Sequence, residues 1–222
     1  MRYNEFKTQE GIDTFMGHLL GTKPFGMVGD IADKVADKVT GKDSTDSSNS
    51  VSQSTTTLSG GYTPKGATPE QMKQFGPSSK DAIDWKQMRS YIATKLSFNH
   101  AVAMVVNCKW ESGWQPGRWV HSDASQGPSG GLFMFHDANF SGQGFFSSMV
   151  AACGGAGKWQ TNWQGQIDFA LSSSIGKGPA FASKKFNSPE EATHWFCLHF
   201  ERPQHAEAKA AERAKEARLY SK

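Results

Sequence analysis

The chain has 222 residues, a formal net charge of +3 and 37% hydrophobic residues. That is enough for one full domain with a further segment attached. The mild charge, with no Lys/Arg-rich run and no zinc-finger spacing, argues against nucleic acid as a partner. Cys108, Cys153 and Cys197 form no CxxC pair, which argues against both a disulfide framework and a metal knuckle.

Glu5 stands where a signal peptide would start its apolar region, so no signal peptide is expected. No stretch approaches the roughly 20 apolar residues of a spanning helix, so no stable membrane insertion is expected either. In the segment 1–41, Val28, Ile31, Val35 and Val39 recur at helical spacing with charged residues between them. A single helix of this length is marginal alone, and docking onto another protein would supply its missing surface; the apolar patch Phe15-Met16-Gly17-His18-Leu19-Leu20 points the same way. The stretch 42–79 is dominated by Ser, Thr, Gly and Pro and reads as a flexible linker.

Residues 80–222 are aromatic-rich and globular in composition. Asp81 or Asp84 can cap a helix with Trp85, Met88, Ile92 and Leu96 on one face. A second helix over about 99–111 carries Ala101-Val102-Ala103-Met104-Val105-Val106, apolar almost all round and therefore buried. Residues 115–143 are loop-rich and hold a small β-hairpin around Gly131-Leu132-Phe133-Met134-Phe135. Helical patterns follow at 160–172 and from Ser188-Pro189-Glu190-Glu191, a strong start with cap, proline and first-turn acids, to Glu201-Arg202-Pro203. An alanine-rich helix occupies 207–220. The domain is thus mainly α with a small hairpin.

Trp110-Glu111-Ser112-Gly113-Trp114 is the most informative stretch. Gly113 and Pro116 end the buried helix, leaving Glu111 in its last turn. There the helix dipole and apolar neighbours both disfavour a negative charge. A carboxyl kept neutral in this way can protonate a leaving oxygen, as glycosidases require. A Glu at a helix end is more commonly a surface or hydrogen-bonded residue, and Trp110, Trp114 and Trp119 fit either core packing or stacking against sugar rings.

Three motifs in order, Glu111-Ser112-Gly113-Trp114-Gln115-Pro116, then Gly130-Gly131-Leu132-Phe133, then Phe200-Glu201-Arg202-Pro203 before a basic Ala-rich end, resemble the phage tail lysozyme family, a branch of the lysozyme-like muramidases and lytic transglycosylases. The resemblance implies a mainly α (α+β) lysozyme-like fold. It also implies Glu111 as general acid on the β-1,4 bond between N-acetylmuramic acid and N-acetylglucosamine. Met134 departs from the family pattern, which has Gln lining the sugar cleft at that position. Asp123 is the preferred second carboxylate and Asp137 the other candidate; both also suit turns. Ser112 either orients Glu111 or caps the helix end. With Trp114, Phe133, Met134 and Asp137 it makes up the expected substrate-binding set. Glu201-Arg202 is assigned no catalytic role.

Rival constellations are weaker. Cys197 lies within an apolar helix and Cys153 has no nucleophile motif around it. His194, Cys197 and His199 point in different directions on a helix, so no metal site is expected, and no cofactor. The resemblance implies peptidoglycan as substrate, a place in the virion with tail or baseplate proteins bound through the N-terminal segment, and action on the host wall during genome entry. A lytic transglycosylase, a released endolysin and a catalytically inactive structural tail protein are the alternatives.

Overall fold

Thr68 opens the first helix with a reciprocal cap: its hydroxyl accepts from the Gln71 N–H at 3.2 Å while the Gln71 side chain accepts from the Thr68 N–H at 3.0 Å. With Pro69 at the first position, this sets α1, Pro69–Phe75. The computed structural model describes residues 60–122, 127–137, 144–173 and 177–222. The N-terminal module 1–41, the first part of the expected linker and Asp123 lie outside the described residues.

The linker expected to reach residue 79 must be shortened. Phe75 is buried against Trp119 and Phe146, and Ser78 and Ser79 have no exposed surface. Tyr62 and Ser78 form an antiparallel bridge, and the Ser78 hydroxyl donates to the Trp119 carbonyl at 3.0 Å. A polar composition concealed one capping box and one anchoring phenylalanine, and those two features fold the segment onto the domain.

Asp84 caps α2, Trp85–Ala93, whose Met88 and Ile92 are buried. α3, Phe98–Ser112, is the central helix: every residue from Ala101 to Val106 is fully buried, as its apolar run requires. Gly113 then adopts the left-handed conformation with φ 67° and donates to the Lys109 carbonyl, closing the helix. The hairpin region is a three-stranded antiparallel sheet of β1, Trp119–Ser122, β2, Gly127–Gly130, and β3, Phe135–His136, in that order. The register pairs Trp119 with Gly130 and Gly130 with Phe135. α4, Phe145–Ala152, follows, a helix that residue spacing did not reveal, and then α5, Trp163–Ser172, and α6, Gly178–Ser183.

α7, Pro189–Phe196, starts at Ser188 as expected, with the serine hydroxyl accepting from the Glu191 N–H. It runs directly into a π-helical turn, Cys197–Glu201, closed by Arg202 at φ 49°. α8, Ala206–Glu216, passes into a 3₁₀ turn at Ala217–Tyr220. α3 packs mainly between α2 and α7, and α8 lies against α7. The architecture is the mainly helical, lysozyme-like one expected, with its small sheet at the C-terminal end of α3.

Candidate active site

Because α3 is buried along most of its length, its last turn is held firmly, and Glu111 emerges there with its side chain 20% exposed. Arg213 of α8, itself only 4% exposed, donates through Nη2 to Glu111 Oε1 at 2.7 Å. Its Nη1 donates to Asn107 Oδ1 at 2.8 Å. The Asn107 amide in turn donates to the carbonyls of Ala103 at 2.9 Å and Thr193 at 3.3 Å. One guanidinium therefore ties Glu111 to α3, α7 and α8 together. The planar fork of arginine suits this double role.

Glu201, at the end of the π turn, is the second carboxyl of the site. Burial first, and the nearby Glu111 charge second, push its pKa well above the ordinary carboxylate range, with Arg213 pulling the other way. Its Oε1 and the Nε of Arg213 are both out of solvent, and neither finds a hydrogen-bond partner among the described residues. The sequence reading, which assigned Glu201-Arg202 no catalytic role, did not anticipate this placement. Arg213 was also missed, although Ala210, Arg213 and Ala217 share a helical spacing and are all buried, so a cation stands in a row of core positions.

A cavity of about 140 Å³ lies between the turn into β3 and the π turn, with Phe133, Met134 and His136 on one side and Phe200, Glu201 and Arg202 on the other. Trp114, Met134 and Arg202 all have positive φ without being glycine, at 60°, 46° and 49°. Such conformations cost about 1–3 kcal/mol each and gather at working sites, as do π turns.

The sequence-derived site residues fare differently. Met134 lies half-buried on the cavity wall, and Phe133 reaches it while packing on Phe196 and Phe200. Trp114 is partly buried, its indole donating to the Val105 carbonyl at 2.9 Å and its ring edge meeting Tyr220. Ser112 is not placed to touch a substrate: it is fully buried and its hydroxyl donates to the Leu132 carbonyl at 2.8 Å, fastening the end of α3 to the turn before β3. Asp137 is likewise committed, 1% exposed and accepting from the backbone N–H and the hydroxyl of Ser147 at the start of α4. Burial pushes its carboxyl upward despite those bonds. Trp119 has no exposed surface and offers no stacking face, whereas Trp110 is 41% exposed beside Glu111.

A family model for the phage tail lysozymes matches residues 82–222, which takes in both carboxyls, Arg213 and both walls of the cavity. The chain belongs to the phage tail lysozyme family. A comparison with curated proteins gives no match. Membership identifies a phage-associated, lysozyme-like enzyme of the peptidoglycan-degrading class, working by glycosidase or transglycosylase chemistry. Among the described residues, no three or more His, Cys, Asp or Glu gather as a metal would need, and no helix is long and apolar enough to cross a membrane.

Proposed function

We propose that this phage tail lysozyme cleaves the β-1,4 bond between N-acetylmuramic acid and N-acetylglucosamine, with Glu111 protonating the leaving oxygen. The observation that carries this reading is the placement of Glu111: the accessible carboxyl at the end of an otherwise buried helix, aimed by a buried guanidinium. Proton transfer by a group positioned in this way contributes about 10²- to 10⁴-fold to rate. Met134, the edge of Phe133 and the exposed part of Trp114 contact the sugars, and Asp123 serves as second carboxylate in the hydrolytic reaction. The enzyme travels in the virion, held to tail or baseplate proteins through residues 1–41, and opens the wall locally for genome entry.

One observation favours a lytic transglycosylase as the second reading: Asp137 is occupied at the start of α4, which leaves fewer carboxylates for a hydrolase. A transglycosylase needs one acid/base, since the muramic acid 6-hydroxyl closes the product ring.

The test is a murein zymogram of the full chain beside Glu111→Gln. Clearing by the parent and loss of at least about 10²-fold in the variant is expected. Equal clearing by both removes Glu111 from the reaction, and no clearing by the parent overturns the enzymatic reading. Mass spectrometry of the released muropeptides separates reducing ends from anhydro ends.

A further inference from the structure

Cleavage of a glycan strand at Glu111, as proposed above, leaves sugar rings on both sides of the bond that must rest on the protein. The cavity wall around Met134 and Arg202 offers one such place. Trp110 offers another. It stands on α3 immediately before Glu111 and is 41% exposed, more than any other tryptophan among the described residues. It lies outside the hydrophobic core, and no aromatic ring packs against it among the described residues.

The ring is nonetheless held still. Its Nε1 donates to Glu216 Oε2 of α8 at 2.6 Å, and the Lys109 ammonium donates to the other oxygen of the same carboxylate. The guanidinium carbon of Arg213 lies 5.7 Å from the ring centroid, as a cation over an aromatic face does. This is the guanidinium that donates to Glu111 at 2.7 Å. One buried cation therefore faces both the ring and the acid. A staple between α3 and α8 accounts for the bonded edge of the indole and for the side that meets Arg213. The rest of the ring stays in water and forgoes the gain of burial, which a staple does not require.

We propose that the exposed surface of Trp110 is a stacking platform for one pyranose ring of the strand that Glu111 cleaves. A pyranose has apolar C–H faces and hydroxyls around its rim, and the platform matches both. The indole supplies a flat apolar surface, while Lys109 and Glu216 put charged hydrogen-bonding groups at its edge. A lipid would need a wider apolar patch than one ring standing outside the core. Because the indole is fixed before the strand arrives, little side-chain freedom is lost on stacking. Trp110 thus binds substrate away from the reacting atoms and is not a catalytic residue.

The identity of the ligand rests on the glycosidic reading of Glu111, so the test separates the two. Binding of peptide-free murein glycan strands is measured by calorimetry on the full chain carrying Glu111→Gln, which halts turnover. Adding Trp110→Ala is expected to weaken Kd about tenfold, and Trp110→Phe, which keeps a ring without the N–H, no more than about threefold. A staple loses the Glu216 bond equally in both variants. Equal weakening by Ala and Phe therefore overturns the platform, as does an unchanged Kd in Trp110→Ala. With Glu111 intact, Trp110→Ala is expected to raise KM for murein about tenfold and to leave kcat within about threefold; a fallen kcat with unmoved KM overturns the proposal. Should Trp110→Ala fail to fold, the Trp110 indole N–H resonance, identified by its loss in Trp110→Phe, is expected to shift when strands are added to Glu111→Gln. A resonance that stays in place overturns the platform. Self-association of the parent chain that Trp110→Phe or Trp110→Ala abolishes would assign the ring to a second copy and overturn it too. Strand binding that depends on Trp110, in a parent chain that clears no murein, overturns the glycosidic reading and leaves the platform standing.

Discussion

Arg213 joins Glu111 and Asn107 through two different nitrogens, so its shape matters as much as its charge. Arg213→Lys keeps the charge but offers a single point, and satisfies one partner at most. The variant is expected to unfold about 1–3 kcal/mol more easily in denaturant, since one buried polar group is stranded. It should also clear murein more slowly than that loss accounts for at temperatures where it is folded. Unchanged stability and clearing would mean the fork has no function. Glu111 was legible in the sequence because its neighbours are distinctive: an apolar run before it, a helix stop after it. Its partner was not, because an arginine in an alanine-rich, charge-alternating helix looks like a solvated residue until Ala210 and Ala217 are seen to share its buried face. Glu201 was assigned no catalytic role, since its place beside Arg202 in sequence was visible and the approach of α8 was not.

The elements around the site are arranged so that the sheet brings the Met134 turn to the end of α3. Gly130 makes that possible. A Cβ there would lie 2.4 and 2.5 Å from the ring carbons of Phe146 and 2.7 Å from Trp119 Cβ, with no flexible group to yield. Gly130→Ala is expected to cost about 1–3 kcal/mol or more by overpacking, read as a lowered melting temperature. Clearing should fall with it, since the turn is displaced from Ser112 and Glu201. A wild-type melting temperature would show that the sheet can shift away from α4 freely. The hairpin itself was visible in the spacing of Gly and aromatic residues. α4 was not: Phe145–Ala152 follows a Gly/Ser-rich stretch, and the carboxylate that holds its first turn, Asp137, lies ten residues before Ser147.

Across the whole molecule, two titrating groups, the buried His100 and the half-buried Glu201, set opposite limits on pH stability. His100 is buried, with Nδ1 2.6 Å from the Ser97 hydroxyl and Nε2 3.0 Å from the Phe181 carbonyl; burial holds its pKa below the ordinary 6.5. The unfolded chain therefore binds a proton that the folded chain refuses. Stability is full above about pH 6.5 and falls as pH drops below it. Glu201, raised from 4.5, works the other way: the folded chain keeps a proton that the unfolded chain releases, so stability declines as pH climbs above 4.5. Melting temperatures of the full chain from pH 5 to 8 should show the acid limb flattened in His100→Asn relative to the parent. An acid limb of unchanged slope would remove His100 as its cause. The mainly helical class and most helix starts were legible from periodicity and caps. The extent of the folded unit was not, because composition averaged over 42–79 hid the few residues that anchor its end.

That anchoring bears on how the enzyme is dissected. A fragment cut at residue 82, where family likeness begins, would discard Phe75 and Ser78, leaving Trp119 without its aromatic neighbour and without both backbone bonds to the serine hydroxyl. Sequence kinship and the smallest piece able to stand alone thus have different borders here. Fragments meant for isolated use should begin no later than residue 60, so that the strand-like pairing of Tyr62 travels with the rest.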